Sequence, residues 1–154
     1  MVGYRISKCP FIGDLSGLGA YLYGGRWNSI GVRMLYIASS ASLALLETLV
    51  HLPSGLAATD FCMIRLDIPD KEIVSFPTDD LPSGWNRYPS ILPTQEIGDA
   101  FIMQNKKLAL QVPSSIVEME SILLINPAHV NFQKIKVLST QQIQIDKRLK
   151  QSHV

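Results

Sequence analysis

The 154-residue chain has little cysteine, little histidine and almost no net charge, and each scarcity removes a class of protein. Two cysteines, Cys9 and Cys62, make neither a disulfide framework nor a zinc site, so two reduced thiols in a cytosolic protein are expected. A net charge of +1 leaves no electrostatic footprint for direct nucleic-acid binding or for an anionic membrane. No apolar run approaches the length that spans a bilayer, and Met1-Val2-Gly3-Tyr4-Arg5 lacks the layout of a signal peptide. None of the three histidines is placed beside a serine and a carboxylate in a way that argues for a hydrolase triad. The dinucleotide fingerprint G-x-G-x-x-G follows no strand-like segment. Internal repeats, low-complexity segments and a helix-turn-helix pattern are also missing. One domain of ordinary apolar content remains, long enough to bury a sizeable core.

The informative stretch runs from Gly17 to His51. A glycine-rich loop ends in Gly24-Gly25-Arg26-Trp27-Asn28, and a short apolar strand, Met34 to Ile37, carries Tyr36. Ser39 and Ser40 offer N-caps for a helix from about Ala41 to Leu52, which Pro53 stops. Leu43, Leu46 and Val50 are expected to line its buried face, with Glu47 at the edge. A carboxylate beside an apolar stripe needs a partner or a task, because an unpaired buried charge is costly. His51, one turn on, is a structural partner for Glu47 on spacing alone. Arg26, Tyr36 and Glu47 thus lie on consecutive elements that can converge on one cleft.

The remaining chain supplies strands and connections. Val2 to Ile6 reads as a strand, Lys8 to Gly19 as a loop, and Phe61 to Ile68 as a strand burying Cys62, Ile64, Leu66 and Ile68. Pro69-Asp70 is a turn and Glu72 to Phe76 a further strand. Thr78 to Pro93 is a long loop in which Trp85 serves as an anchor or a pocket wall. Thr94 is expected to cap a helix from Gln95 to Lys106 with Ile97, Phe101 and Ile102 inward. Strands follow at Leu108 to Val112, Glu118 to Ile125 and after Asn131, with Gln141 to Asp146 extending the sheet. His129 falls in a loop, and Lys147 to Val154 forms a polar, frayed tail. This order predicts an α+β fold in a single domain with a mixed, mainly antiparallel sheet.

Arg26, Glu47 and Ser114, in that chain order and with Tyr36 between the first two, resemble the signature of the RES domain. That family is the toxin half of bacterial RES–Xre type II toxin–antitoxin pairs. The likeness runs roughly from Tyr4 to Val137, and the domain is placed at residues 1–146 with a tail at 147–154. It implies an ADP-ribosyltransferase (diphtheria-toxin-like) fold. It also implies an enzyme that cleaves the nicotinamide–ribose bond of NAD+ by hydrolysis or phosphorolysis and depletes the cellular pool. NAD+ is then the substrate, with no further cofactor and no metal. The implied partner is an Xre-type antitoxin that blocks the pocket, with a homodimer inside the complex, in the cytoplasm and away from membranes. An ADP-ribosyltransferase modifying a host protein is the first alternative, and a non-catalytic nucleotide- or partner-binding module the second.

Chemistry assigns roles on that reading. Nicotinamide leaves without a general acid, because its ring nitrogen is already positive, and the ribose passes through an oxocarbenium-like state. Glu47 is the candidate carboxylate for that charge and for the ribose hydroxyls. Tyr36 is the candidate ring to stack on nicotinamide. Arg26, with the backbone N–H groups of Gly25 and its neighbours, is the candidate clamp for the pyrophosphate. Ser114, directly after Pro113, is the candidate hydrogen-bond donor to ribose or phosphate, with Ser115 one position away. Trp27 completes the substrate-binding candidates with Asn28, which either fixes the loop or touches the ligand.

Overall fold

The computed structural model describes residues 1–52 and 59–150. Pro53, expected to stop the Glu47 helix, and the end of the tail lie outside the described residues.

Among the described residues seven strands form one sheet: β1 (Val2–Lys8), β2 (Leu35–Ala38), β3 (Phe61–Asp67), β4 (Ile73–Ser75), β5 (Ala109–Pro113), β6 (Ser121–Ile125) and β7 (Lys136–Ile143). Their spatial order is β4-β5-β6-β2-β1-β3-β7. Only β4 and β5 pair in parallel; the other neighbours are antiparallel. The mixed, mainly antiparallel sheet is therefore the one expected. Both faces of the central strands are buried, which explains the near-continuous apolar run of β6, Ile122-Leu123-Leu124-Ile125. Ile122 and Leu124 join one core with Trp27, Met34, Leu43 and Val112. Leu123 and Ile125 join the other with Ile37, Ile64, Leu66 and Leu108. Each fully buried aliphatic side chain stabilises the fold by about 1.5–3 kcal/mol, so the two cores hold the sheet from both sides.

Among the described residues three α-helices accompany the sheet: α1 (Leu18–Tyr23), α2 (Ala41–His51) and α3 (Leu92–Gln104). Side chains of α2 and α3 pack on the first core, the face onto which Tyr36 also projects. α1 falls where a loop was expected. Glycines bracket it, Gly17 at φ +70° and Gly24 at φ +69°, and both read as loop in the sequence. A side chain at Gly17 would press on the Met34 backbone, at 2.7 Å.

The inward face of α2 is rotated from the one expected. Leu43 and Ala44 are buried, whereas Leu46 and Val50 are exposed at 37% and 58%. Leu45 and Leu49 flank the first core instead. Ser40 is the N-cap, its hydroxyl accepting from the Leu43 N–H at 3.0 Å. α3 starts before Thr94: Ile91 is the N-cap, because Pro93 suits a first turn that needs no N–H. Thr94 is fully buried and donates to the Ile91 carbonyl at 2.6 Å. β6 begins at Ser121 and not at Glu118, because residues 114–120 form a closed loop, with Ser114 N–H donating to the Glu120 carbonyl at 2.9 Å.

The two cysteines are not free thiols. Cys9 and Cys62 form a disulfide across a Cα separation of 4.8 Å. Antiparallel pairing sets Ser7 opposite Cys62 and Lys8 opposite Phe61, which brings the next turn of chain, Cys9, against Cys62. Their 53-residue separation in sequence gave no sign of that register. Among the described residues no helix is long and apolar enough to cross a membrane.

Candidate functional site

The site is built where the glycine loop, the end of β5 and one face of α2 meet over the first core. Tyr36, on β2, points into that face, and its hydroxyl donates to Asn28 Oδ1 at 2.7 Å and accepts from the Trp27 N–H at 3.1 Å. Burial pushes the Tyr36 phenol well above its ordinary pKa, so it stays protonated. Asn28 is completely buried, and its amide N–H groups donate to the carbonyls of Ala20, Ser29 and Val32 at 2.9–3.1 Å. Of the two tasks open to Asn28, fixing the loop is the one it performs here. Trp27 is only 2% exposed and packs in the core, 6.3 Å from the Trp85 ring. Trp85 therefore anchors its loop. Gly25 has room for no side chain: a Cβ would lie 2.6 Å from Tyr36 Oη and 2.8 Å from Asn28 Oδ1.

Arg26 emerges from this fixed loop, half-buried. Its Nη1 donates to the carbonyls of Trp85 and Arg87 at 2.7 and 2.8 Å. Burial lowers its pKa from the ordinary value, while the nearby Glu47 and Tyr36 work in the opposite direction. It remains a cation at physiological pH. Tyr36 Oη, bonded to the Trp27 N–H, lies beside the Arg26 segment, and the Glu47 carboxylate acts on the charge of the Arg26 guanidinium.

Ser114 reaches Glu47 and Ser115 does not. The Ser114 hydroxyl donates to Glu47 Oε1 at 2.9 Å. It accepts from the N–H groups of Ile116 and Val117 at 3.0 and 3.2 Å. Those two bonds occupy both lone pairs, so its one proton is directed at the carboxylate. Ser114 is 1% exposed, held at the end of β5. Among the described residues Glu47 Oε2 has no hydrogen-bond partner, and His51 neither bonds nor ion-pairs with Glu47 but lies exposed. His129 is buried in the turn after β6, where its Nδ1 accepts from the Asn131 N–H.

Two α3 side chains that hold the loop were missed. Gln95 donates to the Gly25 carbonyl at 3.0 Å, and Asp99 accepts from the Ser29 N–H at 3.0 Å. Their i, i+4 spacing, beside the inward Ile97 and Phe101, was the available signal. A hollow of about 610 Å³ lies elsewhere, lined by Asp14, Leu15, Arg33, Ala128 and Phe132. Arg26, Tyr36, Glu47 and Ser114 do not line it. No cluster of three or more metal-ligating side chains occurs among the described residues.

The architecture defines an α+β domain with an Arg–Tyr–Glu–Ser constellation on one face of a mixed sheet. A chain of the Mycobacterium tuberculosis MbcT–MbcA toxin–antitoxin complex shares the fold, with a TM-score of 0.71 at 18% identity, covering 92% of this chain and 83% of that one. Residues 3–146 match the RES domain, and the protein belongs to the RES-domain family of toxins. It is 39% identical over 151 residues to the Toxin Res of Photorhabdus laumondii, which covers 97% of both chains. It is also 39% identical over 139 residues to the Prs ADP-ribosylating toxin of a Sphingobium species, covering 88% of this chain and 86% of that protein. The latter name accords with the ADP-ribosyltransferase resemblance of the fold.

Proposed function

We propose that this RES protein is an NAD+-consuming toxin that cleaves the nicotinamide–ribose bond, and that an antitoxin restrains it. The observation that carries the reading is the Ser114–Glu47 hydrogen bond, with Arg26 and Tyr36 in the same locality. Glu47 Oε1 is held by Ser114, leaving Oε2 for the ribose. A fixed carboxylate there stabilises the positive charge that develops as nicotinamide departs, without waiting for water to reorganise. Arg26 spends Nη1 on two carbonyls, and its remaining N–H donors are suited to the pyrophosphate. The Tyr36 ring walls the nicotinamide side, its hydroxyl locked by Asn28. The ribose carbon is then open to water, to phosphate or to a protein side chain.

A second reading, ADP-ribose transfer to a protein, is favoured by the name of the Sphingobium relative. An Xre-type antitoxin covering the cleft, paired toxin subunits and cytoplasmic action complete the proposal. The shared fold with a chain of a toxin–antitoxin complex supports the antitoxin.

The test is a product assay on the purified chain with NAD+, with and without inorganic phosphate, beside Glu47→Ala. Nicotinamide release is expected only with Glu47 present. Phosphate dependence separates phosphorolysis from hydrolysis, and label on a protein band identifies the transferase. Equal turnover by Glu47→Ala would reject the reading.

A further inference from the structure

We infer that Glu120 is a positioning residue that sets Glu47 and Ser114 relative to one another, an inference that rests on the reading of Glu47 as the ribose-facing carboxylate. Glu120 holds both partners of that pair from one point. Its backbone carbonyl accepts the Ser114 N–H at 2.9 Å, and its own N–H donates to the Val117 carbonyl at 2.9 Å, closing the loop that presents Ser114. Its carboxylate accepts the hydroxyl proton of Ser40. Ser40 in turn caps α2, accepting from the Leu43 N–H at 3.0 Å. The loop therefore grips α2 at two places, Ser40 through Glu120 and Glu47 through Ser114.

Those two places are seven residues apart, about 10 Å along the helix axis. One contact would leave α2 able to pivot; two fix both its rotation and its slide. The neighbouring backbone reinforces the grip, since Ser39 N–H donates to the Ser121 carbonyl at 2.9 Å and Ser121 N–H donates to Ser39 Oγ at 3.1 Å. The Glu120 side-chain oxygen ties Ser40 to the 114–120 loop while Ser40 also caps α2, so Ser40 is a stiffer hinge than it would be as a cap alone. The signature residues thus depend on a side-chain acceptor outside the signature.

The experiment compares wild type, Glu120→Ala, Glu120→Asp and Glu120→Gln. It follows kcat and KM for NAD+, melting, and hydrogen exchange at the Ser114 and Leu43 amides. Glu120→Ala is expected to melt cooperatively and to lose about tenfold or more in kcat with KM changed by less than about threefold, because a small misplacement costs the reacting geometry most. The Ser114 and Leu43 amides are expected to exchange faster. Glu120→Asp, which withdraws the acceptor by one methylene at unchanged charge, is expected to share the defect and carries the test if Glu120→Ala does not fold. Glu120→Gln keeps an acceptor oxygen and is expected to recover kcat to within about threefold of wild type. Wild-type kcat and wild-type protection in Glu120→Ala or Glu120→Asp, or a Glu120→Gln as impaired as Glu120→Ala, would overturn the inference. If the wild type releases no nicotinamide, the proposed function fails, while exchange at the two amides still decides whether Glu120 sets the pair.

Discussion

Tyr36 combines a ring packed against the first core with a hydroxyl committed to the loop that carries Arg26. Removing only the oxygen separates the two roles. Tyr36→Phe leaves the buried Asn28 Oδ1 and the Trp27 N–H without their shared partner, a cost of about 1–3 kcal/mol at neutral pH. The alkaline behaviour follows from the raised phenol pKa. Above the ordinary value of 10.0 the unfolded chain loses this proton while the folded chain keeps it. The unfolded state then binds fewer protons, so stability falls as pH rises. Tyr36→Phe has no such proton to lose, and its deficit against wild type is expected to shrink above pH 10.0. Urea unfolding at several pH values from neutral to alkaline measures the gap. A gap constant across that range would show that Tyr36 is not held protonated by the fold.

At the scale of elements, α3 seats the glycine loop through Gly98 as well as through Gln95 and Asp99. A Cβ at Gly98 would lie 1.8 Å from the Trp27 carbonyl oxygen, a backbone atom that cannot rotate aside. Helix propensity alone favours Gly98→Ala by about 1 kcal/mol. Overpacking against a fixed atom costs about 1–3 kcal/mol and wins. Gly98→Ala is accordingly expected to lower the melting temperature and to weaken NAD+ turnover through the displaced loop; a stabilised variant would show that α3 and the loop are not in contact. This contact also marks how far elements could be read from residues. β1, β2, β3 and α2 came through, because alternation, short apolar runs and the Ser40 cap act locally. α1 did not, since its bracketing glycines mimic a loop until their positive φ angles and the Met34 contact are known. Nor did the inward face of α2, where Leu46 and Val50 compete with Leu45 and Leu49 for the core and the sheet decides between them.

For the whole molecule, the candidate site is marked by side-chain chemistry and not by shape. Arg26, Tyr36 and Glu47 are close in sequence, so loop, strand and helix bring them together with little long-range help. Ser114 needed the family pattern, because its distance from Glu47 is set by β5 running beside β6 and β6 beside β2. The Cys9–Cys62 pair depended in the same way on strand register. Shape alone would direct attention to the hollow of about 610 Å³, where Arg33 Nη1 donates to the Ser16 carbonyl and hydroxyl and the guanidinium lies 5.2 Å from the Tyr21 ring. Two arginines therefore compete for the role of anion clamp, and their surroundings distinguish them. Arg26 shares its locality with Glu47 and Tyr36, whereas Arg33 is exposed and tied to a surface turn. Arg33→Ala is expected to leave nicotinamide release within about twofold of wild type, as for an exposed side chain remote from the chemistry. Arg26→Ala is expected to raise KM and lower turnover together, since it also frees the Trp85–Arg87 carbonyls from the loop. Steady-state kinetics of the two variants decides: loss of turnover in Arg33→Ala with Arg26→Ala unaffected would move the NAD+ site to the hollow and dissolve the role assigned to the Glu47 cleft.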